Sequence, residues 1–223
     1  MGDPFYALDP DAIAARYATL ARTALRRWDI EDADLTLLKM RENAVFRVAR
    51  RDALPVVLRI HRHGYHSDAE LRSELQWMQA LAQAGVDVPE VLPTRDGDLF
   101  AAIADPAVPE PRQIDLFGWV GGRQLGSVEA GLALDAAALA APFRTLGDLA
   151  ARLHLQSSDW TLPAGFTRHA WDLEGLVGEA PFWGPFWALA ALTPEQRELI
   201  ARARLAVHDG LSALPRTPDV YSL

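Results

Sequence analysis

The sequence contains no cysteine and only one lysine, Lys39, among its 223 residues. Without cysteine, disulfide bonds, thiolate catalysis and cysteine-ligated zinc sites are excluded. No run of about 18 apolar residues occurs, so no transmembrane helix is predicted. The first ten residues lack the basic and apolar regions of a secretory signal. We therefore expect a cytoplasmic protein.

The charge balance is acidic, with a net charge of -8 and an isoelectric point of about 5.2. This balance argues against nucleic acid or an anionic membrane surface as the main partner. Hydrophobic residues make up 50% of the chain, which is enough for a sizeable core. The length suits one large domain or two lobes.

The first half of the sequence reads as an α+β arrangement. Residues 10–27 show a helical apolar stripe, with Asp9 or Asp11 near its N-terminus. Three β-prone runs separated by short turns follow, and they predict an antiparallel meander over residues about 35–40, 44–50 and 55–62.

A second helix is predicted after the meander. Ser67 and Glu70 have the spacing of a capping box, and Gly85 supplies the stop signal. Residues 86–105 predict a hairpin with Asp96-Gly97 as its turn. The stretch "RQIDLFGWVGG" then predicts a fifth strand.

After Gly122 the pattern becomes helical. One helix is expected to end near His154. Another is expected to begin with Thr193 as N-cap, followed by Pro194 and Gln196. The last residues, "DVYSL", predict the beginning of a strand.

The run "PVVLRIHRHG" places an arginine in an apolar strand. Alternation puts Val56, Leu58 and Ile60 on one face and Arg59 on the other. A charge is rarely buried without a partner, and Glu74 lies at the edge of the apolar face of the following helix. This pair is either a plain surface ion pair or a device that holds Arg59 for phosphate oxygens.

These segments together resemble the aminoglycoside phosphotransferase family, which is protein-kinase-like, and the related bacterial stress-response kinases. "VVLRIHR" is similar to the third strand of that fold, "SELQWMQAL" to its helix C, "LFGWVGG" to its hinge and "LGDLAARLH" to the helix that supports the catalytic loop. The resemblance implies a five-stranded antiparallel N-lobe with helix C over residues 1–118. A hinge and an incomplete helical C-lobe are expected over residues 119–223.

The resemblance also implies a site for ATP. Arg59 stands at the position of the lysine that contacts the α and β phosphates, and Glu74 at its paired glutamate. Asn43 is expected at the tip of the nucleotide-covering hairpin, although Asn suits any tight turn. That hairpin lacks the glycine found in many relatives.

The hinge of the family implies three further contacts with the nucleotide. Phe117 stands at the gatekeeper position. The backbone carbonyl of Gly118 and the backbone amide of Val120 are expected to meet the adenine. Lys39 falls on the first strand and does not replace Arg59.

The catalytic part of the family pattern is missing from these residues. A loop of the form H-x-D-x-x-x-x-N followed by D-x-D or D-F-G does not occur in the 223 residues. We therefore expect a chain that ends before the catalytic loop, contains no Mg²⁺ ligands and has no appreciable kinase activity as given. The alternative is a non-catalytic, pseudokinase-like module that binds a nucleotide or a partner. We expect a homodimer or an aggregate, because the missing segment should leave apolar surface exposed.

Three histidines follow one another closely in the third strand and the loop after it. His61, His63 and His66 raise the question of a metal site. No carboxylate spacing completes a ligand set, and alternate positions on a strand are more often solvated. We therefore predict no metal site here.

Overall fold

The computed structural model describes residues 4–106, 108–122, 125–127, 131–132 and 135–215. The chain divides into two compact units, of which the first runs to Phe166 and the second begins at Thr167. The lobe boundary predicted at residue 118 falls inside the first unit and stays a prediction. Within the described ranges, no helix combines the length and the apolar character needed to cross a membrane.

Helix α1 spans Pro10–Leu25 and lies between two short 3-10 helices, Pro4–Ala7 and Arg26–Trp28. Its N-cap is Asp9, whose carboxylate accepts the backbone N–H of Ala12 at 2.9 Å. Proline at the first helical position removes a donor that would otherwise lack a partner. Of the two acidic residues that the sequence offers, Asp9 is therefore the cap.

A five-stranded antiparallel sheet forms the centre of the first unit, with the strand order β1-β2-β3-β5-β4. Its strands are β1 Ala33–Met40, β2 Asn43–Arg50, β3 Ala53–His61, β4 Ala101–Asp105 and β5 Val108–Gly118. The predicted meander is thus confirmed, and its strand boundaries agree within two residues. The predicted fifth strand is also present.

The hairpin predicted over residues 86–105 is wrong in its first arm. The turn exists, because Gly97 has φ of 89° and its N–H donates to the carbonyl of Thr94 at 2.9 Å. The arm before it contains Pro89 and Pro93, which lack the N–H groups of a regular ladder. That arm instead makes an isolated bridge from Val91 to β5.

Helix α2 spans Asp68–Gln83 and has the predicted capping box between Ser67 and Glu70. It ends before Gly85, whose φ of 75° is a left-handed conformation that glycine adopts without strain. The apolar face of α2 packs on the sheet through a cluster that includes Leu71, Leu75, Met78 and Phe117.

The other face of the sheet packs against α1. Leu20 and Leu25 of α1 share a cluster with Val56, Leu58 and Ile60 of β3. The alternation predicted for β3 is therefore confirmed. It also follows that Arg59 projects toward the α2 side of the sheet, since neighbouring side chains alternate.

Beyond β5, the first unit contains the short strands β6 Gly126–Ser127 and β7 Gly131–Leu132 and the long helix α3 Ala136–Asp159. Helix α3 continues five residues past its predicted end near His154. The hydroxyl groups of Ser157 and Ser158 donate to carbonyls four residues earlier, at 2.8 and 2.9 Å, so these serines do not interrupt the helix.

The second unit contains α4 Leu173–Val177, a 3-10 helix Phe186–Ala188 and α5 Pro194–Ser212. The predicted capping of α5 is confirmed, with Thr193 as N-cap and Gln196 completing a capping box. The strand predicted from "DVYSL" lies outside the described residues.

Candidate functional site

The centre of the candidate site is a contact between two neighbouring strands. Arg59 of β3 and Asp115 of β5 are register partners, so their side chains lie on the same face of the sheet. Nε of Arg59 donates to Oδ1 of Asp115 at 3.0 Å, and Nη2 donates to Oδ2 at 2.7 Å. Two parallel N–H···O bonds of this kind form the strongest arrangement between a guanidinium and a carboxylate.

Glu74 of α2 supplies the third hydrogen bond to the same guanidinium. Nη2 of Arg59 donates to Oε1 of Glu74 at 2.8 Å, so the predicted ion pair is present. The side chains of Arg59, Glu74 and Asp115 are 21%, 12% and 0% exposed. The pair is therefore partly buried and is not a plain surface ion pair.

His61 joins this cluster from the end of β3. It follows Arg59 by two residues and therefore lies on the same face, where its Nε2 is 2.9 Å from Oδ2 of Asp115. An ionised carboxylate only accepts hydrogen bonds, so Nε2 is the donor. The expectation that His61 is solvated is wrong, because it is 2% exposed and packs against Asp115. His63 is exposed, as expected.

The pKa values of Asp115 and Arg59 are both shifted in the direction that keeps the group charged. Burial alone would raise the pKa of Asp115, but the guanidinium charge of Arg59 and the hydrogen bond from His61 outweigh it and lower that pKa. Burial would likewise lower the pKa of Arg59, but the charges of Asp115 and then Glu74 outweigh it and raise that pKa. Asp115 and Arg59 are thus a carboxylate and a guanidinium.

Phe117 lies on the same face of β5 as Asp115. The Cζ atom of Arg59 lies 4.9 Å from the centre of its ring, within the range of a cation–π contact. Phe117 is 7% exposed and belongs to the cluster under α2. Its position fixes one side of the guanidinium, while its gatekeeper role stays a prediction.

The predicted hinge follows directly. The N–H of Gly118 donates to the carbonyl of Glu90 at 2.9 Å, and a Cβ added at Gly118 would lie 3.4 Å from the Cβ of Glu90. Val120 is 63% exposed, and the ring of Trp119 lies under Arg47, with 5.4 Å from Cζ to the ring centre. The contacts of Gly118 and Val120 with adenine stay predictions.

Asn43 does not lie at the tip of the β1–β2 hairpin. Arg41 and Glu42 form that turn, and Asn43 opens β2 as the register partner of His61. The backbone N–H of Arg62 donates to its side-chain oxygen at 3.4 Å. Asn43 therefore lies one position past the turn, because the ladder between β2 and β3 already includes it.

Asp115 was not among the predicted site residues. A signal for it exists, since Asp115 interrupts an apolar strand between Ile114 and Leu116 in the way that Arg59 interrupts β3. Two opposite charges, each inside an apolar strand, point to a buried pair. Their pairing requires knowledge that β3 lies beside β5.

Comparison with known proteins gives a family match over most of the chain. The model of the phosphotransferase enzyme family, APH, matches residues 34–219. An uncharacterized protein of Deinococcus radiodurans is 32% identical over 208 residues, which cover 89% of this chain and 56% of that protein.

Two solved structures are similar in fold. A microcompartment-associated aminopropanol kinase has 34% identity and a TM-score of 0.72, with 91% of this chain and 59% of that chain covered. The amicoumacin kinase hAmiN, solved in complex with AMP-PNP, Ca²⁺ and Ami, has 18% identity and a TM-score of 0.70, with 94% and 58% covered.

The chain thus spans a little over half of the length of the relatives that it matches. Its five-stranded antiparallel sheet and helices give it the α+β, protein-kinase-like fold of the two kinases. With the family model matching residues 34–219, the chain belongs to the phosphotransferase enzyme family.

Proposed function

We propose that the chain binds ATP at Arg59, as the nucleotide-binding part of a kinase that phosphorylates a hydroxyl group. A small-molecule acceptor is the first choice, because both similar structures carry the names of small-molecule kinases. A hydroxyl on a protein side chain is the second. Membership of the phosphotransferase family supports both.

The observation that carries this proposal is the distribution of donors on Arg59. A guanidinium has five N–H groups. Asp115 and Glu74 accept the one on Nε and the two on Nη2. No acceptor among the described residues takes the two N–H groups of Nη1. A fork of two N–H groups on a partly exposed arginine suits phosphate oxygens.

The net charge of Arg59, Asp115 and Glu74 determines how strongly Arg59 would attract a nucleotide. Asp115 and Glu74 together carry more negative charge than Arg59 neutralises. Arg59 therefore contributes directed hydrogen bonds and little net positive field. Most of the charge of a nucleotide must then be neutralised elsewhere, which is the part that divalent cations such as Mg²⁺ take in phosphoryl transfer.

The carboxylates beside Arg59 do not offer a metal site. Both Asp115 and Glu74 already accept N–H groups of Arg59. We therefore assign no Mg²⁺ ligand to the described residues around Arg59.

We assign the remaining nucleotide contacts to the residues around this cluster. Phe117 would border the adenine, with the carbonyl of Gly118 and the amide of Val120 as its hydrogen-bond partners. Asn43, at the start of β2, would lie beside the phosphates. The exposure of Val120 and the location of Gly118 at the end of β5 support this assignment.

For the 223-residue polypeptide tested alone we expect nucleotide binding without phosphate transfer. The sequence contains no H-x-D-x-x-x-x-N loop followed by D-x-D or D-F-G. In that form it would act as a pseudokinase-like binding module in the cytoplasm. Transfer of phosphate from MgATP by the purified polypeptide would contradict this expectation.

The test of the proposed site is nucleotide binding by variants of Arg59. Arg59→Ala removes the Nη1 donors but leaves Asp115 buried without its partner, so the double variant Arg59→Ala/Asp115→Asn removes both charges together. We expect ATP affinity, measured by calorimetry in the presence of Mg²⁺, to fall about 10- to 150-fold in both.

A matched control is Arg50→Ala. Arg50 lies at the β2–β3 turn and donates to the carbonyl of Leu54 at 2.9 Å, so its loss should leave the ATP affinity unchanged. Folded variants of Arg59 that bind ATP as tightly as the unaltered chain would overturn the proposal. Failure of the unaltered chain to bind ATP would do the same.

A further inference from the structure

We propose that Asp115, held in place by His61, positions Arg59 for the nucleotide. In this proposal Asp115 touches no ligand and acts only through Arg59. It sets the direction of the two N–H groups on Nη1, which would bind the phosphates. The inference rests on the proposed function, in which Arg59 binds the nucleotide.

The two carboxylates differ in the number of hydrogen bonds that they make to Arg59. Asp115 makes two, at 3.0 and 2.7 Å, and Glu74 makes one, at 2.8 Å. A planar guanidinium can rotate about one hydrogen bond, but two parallel bonds fix its plane. Asp115 therefore determines the orientation of Nη1.

The carboxylate of Asp115 is itself held by His61. The terminal torsion of aspartate has broad energy wells, so an isolated carboxylate turns easily. Nε2 of His61 lies 2.9 Å from Oδ2 of Asp115, the oxygen that also accepts Nη2 of Arg59. This contact leaves Oδ1 for Nε of Arg59. His61 thus restricts rotation of the Asp115 carboxylate about its terminal torsion.

Stability alone gives little reason for this arrangement. A buried ion pair is often no more stable than apolar residues of the same volume. Asp115 lies between Ile114 and Leu116, where an apolar residue would continue the strand. Among the described residues, Nδ1 of His61 is also buried without a hydrogen-bond partner. Packing would not require that cost.

The test is the variant Asp115→Asn, which keeps the shape of the side chain. Asp115 accepts hydrogen bonds from Nε and Nη2 of Arg59 and from Nε2 of His61. The amide group of asparagine would point an N–H at one or more of these donors, so the plane of the Arg59 guanidinium is no longer fixed. Asp105→Asn is the matched control, because Asp105 lies on β4 and accepts the hydroxyl of Thr23 of α1. Affinities for ATP and for adenosine are measured for each variant.

We expect Asp115→Asn to weaken ATP binding about tenfold and to leave adenosine binding unchanged. Adenosine has no phosphate and therefore makes no contact with Arg59 in this proposal. Its affinity shows whether the rest of the site is still folded. Asp105→Asn should change neither affinity. A second variant, His61→Phe, removes the donor to Asp115 and should weaken ATP binding about threefold, again without an effect on adenosine.

A double-mutant cycle separates positioning from a merely structural role. In the Arg59→Ala background, Asp115→Asn should have no further effect on ATP affinity, because the residue through which it acts is gone. Equal losses of ATP and adenosine affinity would overturn the proposal, since they would show a general distortion. Tighter ATP binding by Asp115→Asn would also overturn it, since it would show that Asp115 acts only by its charge.

These outcomes are distinct from failure of the proposed function. If the unaltered chain does not bind ATP, or if variants of Arg59 bind it normally, the proposed site is wrong. If ATP binds and depends on Arg59 but Asp115→Asn binds it normally, only the positioning role is wrong.

Discussion

Arg59 and Asp115 face each other directly across β3 and β5, joined by two hydrogen bonds of 3.0 and 2.7 Å. Both side chains extend from central strands of one sheet, and neither relies on a loop for its position. The hydrogen bonds between β3 and β5 therefore fix the backbone positions of both residues. Glu74, which approaches from α2, adds a third bond to a guanidinium that is already oriented.

We expect Glu74→Gln to weaken ATP binding less than Asp115→Asn does. The glutamine oxygen can still accept from Nη2 of Arg59, so the variant replaces one charge-assisted hydrogen bond by a neutral one. The expected loss is about two- to fivefold in affinity, measured by calorimetry.

The informative comparison is between the loss of ATP affinity in Glu74→Gln and the loss in Arg59→Ala. If Glu74→Gln lowered ATP affinity as much as Arg59→Ala, Glu74 would hold Arg59 alone, and the two bonds from Asp115 would have no measurable role. Glu74→Ala is less suitable, because it also removes packing at the edge of α2.

The lowered pKa of Asp115 predicts a specific dependence of stability on pH. An aspartate in the unfolded chain has a pKa of about 3.9. A carboxyl whose pKa is lower in the folded state stabilises the fold above that value, and this contribution is lost as the pH falls through the folded-state pKa. The advantage of the unaltered chain over Asp115→Asn in unfolding free energy should therefore shrink below about pH 4.

Urea unfolding of the two proteins at matched pH values from neutral to about pH 3 measures this difference. Asp105→Asn serves as the reference for the loss of an aspartate elsewhere in the sheet. A difference between the unaltered chain and Asp115→Asn that stays constant with pH would show that Asp115 is not held as a carboxylate by its neighbours.

The capping boxes predict the effect of removing a single hydroxyl. Ser67→Ala should lower the unfolding free energy by about 1 kcal/mol, because the backbone N–H of Glu70 loses its acceptor. Thr193→Ala removes the corresponding hydroxyl at α5 and should cost a similar amount. Ser67→Asp, which keeps a capping oxygen, should restore most of the stability, and urea unfolding measures all three.

Exposed apolar side chains on α3 predict self-association of the 223-residue polypeptide. Phe143, Leu146 and Leu155 are 51%, 58% and 66% exposed. Apolar surface of this kind favours association in water. We expect light scattering to show a dimer or larger species at high concentration, and Phe143→Ser/Leu146→Ser to shift it toward monomer. A clean monomer of the unaltered polypeptide at all concentrations would contradict the expectation.

Much of the fold was predictable because its signals are local. The capping boxes at Ser67 and Thr193 involve residues three positions apart, and the alternation in β3 is visible within six residues. The antiparallel meander follows from strands that are neighbours in the chain. These features need no knowledge of distant segments, so the sequence indicated them correctly.

The parts that the sequence did not predict depend on strand pairing over long distances. Asp115 meets Arg59 and His61 only because β5 inserts between β3 and β4. For the same reason His61 is buried, although alternation and polarity suggested a solvated position. The first arm of the expected hairpin pairs with β5 at Val91, a partner that its own turn does not indicate.

Arg59 is held both by α2 and by the sheet, and this has a consequence for any movement of α2. A shift of α2 would break the bond from Glu74 but would leave the two bonds from Asp115, which belong to the sheet. In kinases whose cation is held only by the helical glutamate, displacement of that helix switches the site off. Here the two bonds within the sheet would keep the guanidinium in its orientation, so a displacement of α2 would not by itself act as a switch.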